Sequence, residues 1–325
     1  GNVTVGGNLT VTGLLINDEG GSENTVFGNL AGDSFTGDDA DYNSLFGYNA
    51  GTALTTGDYN VYVGRRAGYA STTGGYNTAI GANAMGAGIA SEAVGNNVAV
   101  GYIAGTDITT GQSNTLIGSN AGKEITEGNS NTVLGTAALQ ANLLSNYNVA
   151  IGSSALYSLT EDADNQNVAV GYKAGYDMNT GAFNVLMGTY AGYKITTPDQ
   201  NVGIGHYALA SGSAAALTGA SNTAIGYYAG SKLQGAAAYN TIVGAGAGDA
   251  QTTGTSSVII GYNAGGTLTT TSEVTLIGRN AGIAINSTDA NPSTFIGFYC
   301  GAANTDGVGN TAIGQDPGTP DFIVN

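Results

Sequence analysis

Asn97–Ser113 reads NVAVGYIAGTDITTGQS, and most of the chain is this sentence written again. Its frame is Asn, a β-branched residue, a variable residue, an aliphatic residue, Gly, two free positions, Ala and Gly. A polar run, often ending Thr-Thr-Gly, leads to the next Asn. Seventeen copies start at Asn24, Asn43, Asn60, Asn77, Asn97, Asn114, Asn131, Asn148, Asn167, Asn184, Asn201, Asn222, Asn240, Ser257, Val274, Ser293 and Asn310. Most spacings are 17 residues and the rest are 18 to 21. A period this short, repeated this often, predicts stacked units that cannot bury a core singly.

The frame can be read position by position. Position five is Gly in every copy, including Gly101 and Gly118, which predicts positive φ or close backbone approach at a corner. Position four is always apolar, as at Val100, and position two is always Val, Thr or Ser. Positions two and four share one strand face, and that face is expected to point into the core. Position three is often apolar too, which predicts a second covered face and hence a partner chain. The Asn residues of position one, such as Asn97 and Asn114, are expected to hydrogen-bond along the axis as an internal ladder. Ala104 and Gly105 mark the Ala-Gly pair, read as a corner or a second short strand.

Each copy is too short for two strands and a helix, and Gly disfavours the helix. The expected fold is all-β: a β-solenoid, a single-chain parallel β-roll of about 17 short coils. The expected organisation is an N-terminal strand, cap or shaft segment over residues 1–23, the array over 24–314 and a tail over 315–325. Insertions around Asp38–Asp41, Ala90–Gly95, Glu161–Gln166 and Ser211–Ala220 are expected to be surface loops. The start at Gly1, without an initiator Met, reads as a processed product or a fragment.

Composition excludes several functions. Charged residues are 9% of the chain and the net charge is −16, which opposes binding to nucleic-acid phosphates or anionic lipid. No apolar run is long enough to insert in a membrane as a helix. His206 is the only histidine and Cys300 the only cysteine, so no zinc cluster of several His and Cys ligands and no intrachain disulfide can be assembled, and no Ser-His-Asp set or Cys-His pair is assigned. Cys300 stands at the Ala position and is expected to be a small buried residue. No catalytic residue and no cofactor is assigned. The carboxylates Asp38, Asp39 and Asp41, and Glu161, Asp162 and Asp164, are read first as solvated loops, then as a Ca²⁺ site, and last as a hydrolytic pair.

Tyrosine, with 19 copies against no Trp, is the suggestive residue. Tyr48, Tyr102, Tyr172, Tyr190, Tyr207, Tyr227, Tyr228 and Tyr262 fill the free positions after the Gly. They form either structural stacks between coils or a recognition surface.

The segments Val149-Ala150-Ile151-Gly152, Val98-Ala99-Val100-Gly101 and Thr223-Ala224-Ile225-Gly226 resemble the repeated element of trimeric autotransporter adhesin heads. The longer form starting at Asn222 is similar to repeats of phage tail-fibre proteins, which often carry segments like GNVTVGGNLTVTG of residues 1–13. The resemblance implies a left-handed β-roll, a side-by-side homotrimer, an extracellular or virion location, and attachment to a host-surface glycan or protein. The expected function is a non-enzymatic structural or adhesive fibre module. The alternatives are a filament subunit polymerising through its N-terminal strand and, further back, a polysaccharide depolymerase or an ice-binding protein.

Overall fold

The computed structural model describes residues 14–15, 23–35, 40–87, 95–141, 143–160, 165–212, 215–285, 292–305 and 309–315. The chain forms two compact units, Gly1–Asn131 and Thr132–Asn325. In the first, β1 (Leu14–Leu15) lies antiparallel to β2 (Thr25–Phe27). Parallel strands β3 (Ser44–Phe46), β4 (Val61–Val63), β5 (Thr78–Ile80), β6 (Val98–Val100) and β7 (Thr115–Ile117) then follow β2, each paired with the one before it. The second unit repeats the arrangement from β8 (Thr132–Leu134) and β9 (Val149–Ile151) to β18 (Thr311–Ile313). Register is exact in repeat terms: Ala79 faces Ala99 and Ile242 faces Ile259. Both units are parallel β-solenoids, without a helix among the described residues, as the repeat predicts.

Each coil has one three-residue strand, not two: the Ala-Gly pair and the Thr-Thr-Gly run are turns and bends. The reason lies in backbone direction. Position seven is left-handed in coil after coil, as at Arg66 (φ 57) and Asn83 (φ 56), and position nine repeats it at Gly68 (φ 58) and Met85 (φ 49). Alternating handedness swings successive N–H groups to opposite sides of the coil. Arg66 N–H donates back to the Tyr48 carbonyl at 2.9 Å, while Gly68 N–H donates forward to that of Ala84 at 2.9 Å. The corner therefore satisfies its backbone along the axis without extended strand geometry.

The strand faces are the reverse of the expectation. Position three points inward: Val26, Leu45, Tyr62, Ala99, Leu116, Leu186, Ile259 and Phe295 are buried. Positions two and four point outward and are half-buried or exposed, as at Phe27, Phe46, Ile80 and Leu134. β-Branched residues suit the outer surface of a pleated sheet, whereas the interior position is free to vary because its volume is shared with other positions.

That sharing explains much of the core. Position twelve also points inward, at Leu54, Ile108, Ile125, Met178, Ile195, Leu233 and Leu268. Tyr62 is so large that its coil has Ser71 at position twelve; burial pushes the Tyr62 phenol up to about 12, and the nearby Ser71 hydroxyl pulls the other way. Position nine is Gly where a large side chain needs its space. A Cβ on Gly122 would stand 2.7 Å from Ile125 Cδ1 and 2.8 Å from Leu116 Cδ2. Where position nine is large, position three is small: Met85 accompanies Ala79, Leu139 Val133, Leu156 Ala150 and Leu209 Gly203. In these coils positions three and nine trade volume, and elsewhere a neighbouring coil fills the space, as Leu116 does beside Gly105, in keeping with close packing.

Position five behaves as expected. Gly226 has φ 137, and a Cβ there would meet the Gly244 carbonyl oxygen of the next coil at 2.6 Å. Cys300 is buried, its Sγ 3.2 Å from the Ala312 carbonyl oxygen.

The Asn ladder is present in both units. In the first, Asn60 Nδ2 donates to Asn43 Oδ1 at 3.1 Å and to the Gly74 carbonyl at 2.9 Å, while Asn60 Oδ1 accepts Asn77 N–H at 3.0 Å. In the second, Asn184, Asn201, Asn222 and Asn240 continue the pattern. At Ser257 the rung changes chemistry. The carbonyl fourteen residues on, which an Asn amide serves elsewhere, is that of Thr271, and Gln251 Nε2 donates to it instead at 3.2 Å. Gln251 occupies position twelve, an apolar slot in most coils. A polar residue enters the core where the ladder loses its amide.

Candidate recognition surface

Repeat register turns one-dimensional spacing into columns. A side chain at a given position stacks on its equivalent in the next coil, about 4.8 Å away along the sheet. In the first unit Tyr42, Tyr59 and Tyr76, just before the ladder Asn, form such a column, with ring centroids 4.7 and 4.9 Å apart and planes 8° and 12° apart. All three residues have positive φ and are exposed. Tyr48 and Tyr102, candidates on sequence grounds, are exposed in the same unit, at position six of coils three repeats apart.

The second unit concentrates the aromatic residues. Tyr190, Tyr207 and Tyr228 stack at position seven, with centroids 4.9 and 5.0 Å apart. Tyr157, Tyr176 and Tyr193 stack at position ten, 5.0 and 5.5 Å apart. The columns meet edge to face at Tyr190 and Tyr193, 5.2 Å apart and 89° between planes. Tyr172 leans edge-on to Tyr190 at 5.3 Å. His206 lies parallel to Tyr227 at 5.5 Å and edge-on to Tyr207 at 4.5 Å. Lys173 Nζ lies 5.5, 4.8 and 5.8 Å from the ring centres of Tyr172, Tyr176 and Tyr193. Five of the eight sequence candidates, Tyr172, Tyr190, Tyr207, Tyr227 and Tyr228, therefore belong to one surface.

Tyr262 belongs to a different group, with Arg279 over its ring at 5.8 Å. The position-ten tyrosines, Lys173 and the stacking of His206 escape the sequence reading. Their signal is register: Tyr157, Tyr176 and Tyr193 recur at the same offset from Asn148, Asn167 and Asn184.

The surface is rich in hydroxyls. The Tyr190 phenol is held above its ordinary value by desolvation first and then by its hydrogen bond with Tyr172. Tyr228 is raised too, by desolvation and then by the neighbouring Tyr227 and Tyr207. These groups are neutral donors at neutral pH and provide no base or nucleophile. Stacked rings cover each other's faces, so a continuous column offers edges and hydroxyls; faces stay open only where a column is interrupted. Of the acidic loops, Asp38, Asp39, Glu161, Asp162 and Asp164 lie outside the described residues. Among the described residues no group of three or more His, Cys, Asp or Glu is placed to hold a metal ion.

No protein-family model matches this chain, and no curated protein or solved structure is significantly similar to it. The class is therefore defined by the fold itself, a parallel β-solenoid built from a tandem repeat.

Proposed function

We propose that this chain is a non-enzymatic fibre module, working outside the cell on a phage tail fibre or cell-surface adhesin. In this reading it assembles side by side as a homotrimer and attaches to a host surface. The observation that carries it is the outer strand face. Position four forms an apolar column, from Phe27 and Phe46 to Ile117 in the first unit, beside a position-two column of Val, Thr and Ser, and among the described residues no element of the same coil covers it. Leu134, Met187, Ile225 and Ile313 continue the pattern in the second. Monomeric soluble proteins rarely leave so continuous an apolar patch in water. A second copy with the same period covers it in register, because both stripes repeat at the strand spacing.

Attachment then arises from aromatic surfaces displayed on each of three chains, weak contacts adding through multivalency. Static and dynamic light scattering of the purified chain tests the assembly. A mass three times that of the chain is expected, and a monomer at micromolar concentration sinks it. Replacing Phe46, Ile80 and Ile117 together with Ser is expected to dissociate the trimer. The filament reading makes a different claim: residues 1–16 add as a strand to another subunit. Leu14–Leu15 already pairs with the first coil of its own chain, which favours the fibre module. Polymers lost on deleting residues 1–16 would reverse that preference.

A further inference from the structure

From Tyr172 to Phe298, position six of the second unit reads Tyr172, Thr189, His206, Tyr227, Ala245, Tyr262, Arg279 and Phe298 along successive coils. Two spans of this column have the same outer spacing. Between Tyr262 and Phe298, two coils apart, lies the Arg279 guanidinium, 5.8 Å from one ring centre and 5.6 Å from the other. Between Tyr227 and Tyr262, again two coils apart, the middle coil offers Ala245 and, at position seven, Gly246. That coil has nothing larger than a methyl group at either free position. A Cβ on Gly246 would meet nothing nearer than 3.9 Å.

The rings on either side are 59% and 60% exposed. Each has one face covered from outside the gap, Tyr227 by the parallel His206 ring and Tyr262 by Arg279. Their remaining faces look toward the coil of Ala245. Two coil steps amount to about 9.6 Å. A ring in van der Waals contact with both tyrosines needs about 7–8 Å between them, so each exposed tyrosine has to lean inward by about 1 Å on binding.

We infer that Tyr227 and Tyr262 are aromatic tongs for one pyranose ring of a neutral glycan, with Ala245 and Gly246 as the floor. A pyranose offers C–H faces to the two rings and hydroxyls at its edge, where Tyr228 and the Asn263 amide supply hydrogen-bonding groups. The chain's net charge of −16 disfavours phosphorylated or acidic ligands. A cationic ligand is disfavoured because Arg279 already draws on the Tyr262 ring. This inference rests on the attachment reading above and is independent of the trimer.

The test is saturation-transfer NMR on the whole chain with the methyl glycosides of glucose, galactose, mannose and N-acetylglucosamine, and adenosine as a flat aromatic control. At least one glycoside is expected to bind, with a dissociation constant on the order of millimolar for a single ring. Tyr227→Ala and Tyr262→Ala should each weaken it about tenfold or more, roughly the loss of one good stacking contact. Ala245→Tyr fills the gap and continues the stack, so it should abolish binding while the thermal melt stays at or above that of the parent. No binding of any glycoside, binding that survives Ala245→Tyr, or tighter binding of adenosine would each overturn the proposal. Light scattering on the same samples keeps the two readings apart: a monomer that binds sugar refutes only the trimer, and a trimer that binds none refutes only the tongs.

Discussion

Converting the Ser257 rung back to the regular ladder should stabilise the coils around it, and only if Gln251 is changed as well. Gln251 Nε2 reaches the Thr271 carbonyl at 3.2 Å, but its Oε1 is buried without a hydrogen-bond partner. Ser257 Oγ serves Val274 N–H at 3.4 Å, compared with 3.1 Å for Asn240 Oδ1 and Ser257 N–H one rung earlier. In Ser257→Asn/Gln251→Leu, an Asn amide takes over the Thr271 carbonyl and shortens the Val274 bond, while Leu fills position twelve. An unpaired buried oxygen costs about 1–3 kcal/mol and a regained hydrogen bond contributes about 1 kcal/mol. Burying the larger apolar side chain adds about 1 kcal/mol more. After the entropy of fixing two side chains, a net gain of about 2 kcal/mol is expected, or roughly thirtyfold in an equilibrium constant.

Because long arrays need not unfold in one step, the assay is hydrogen exchange followed by mass spectrometry on peptides spanning Ser257 and Val274. The double variant should slow exchange there about thirtyfold. Gln251→Leu alone should accelerate it, having removed a donor from Thr271. Ser257→Asn alone should gain little, because two amides then compete for one carbonyl. Single effects that sum to the double, within about 0.5 kcal/mol, would show that Gln251 and Ser257 are not a compensating pair.

Other outcomes follow from the same geometry. Asn60→Ala removes a donor from the Gly74 carbonyl and an acceptor from Asn77 N–H, both buried, and should cost about 2–5 kcal/mol, read as a lower melting temperature. Gly226→Ala, with φ 137 and a backbone oxygen 2.6 Å from the new methyl, should cost about 3 kcal/mol or more and lower soluble yield. Ile103 carries a β-branched side chain at φ 59, so Ile103→Asn should gain about 1 kcal/mol in denaturant unfolding. The Tyr62 phenol titrates near 10 when unfolded and about 12 when folded, so the folded state holds the proton more tightly. Its contribution, about 3 kcal/mol, is complete below pH 10 and disappears between about pH 10 and 12. Tyr62→Phe should flatten that part of the stability profile, and an unchanged alkaline slope would count against the buried phenol.

The period, the invariant Gly at position five and the recurring Asn were enough to define an all-β solenoid with an internal amide ladder, because each is a local demand of a coil stacked on itself. Which strand face turns inward was not legible. Thr-Ala-Ile and Thr-Leu-Ile are apolar on both faces, and the decision belongs to interior volume. Position three has to fit with positions eight, nine and twelve, so Tyr62 pairs with Ser71 and Ala79 with Met85. That relation joins residues that are separated in the chain and share one cavity.

The aromatic surface divides in the same way. Tyr at the free positions was visible as composition, and its recurrence named candidates. Only the fold decides that Tyr172, Tyr190, Tyr207, Tyr227 and Tyr228 lie together while Tyr48 and Tyr102 lie elsewhere. The reason is that a column exists only where register brings side chains from successive coils within about 5 Å. The same register makes Ala245 and Gly246 a gap between two rings, where the sequence shows two small residues.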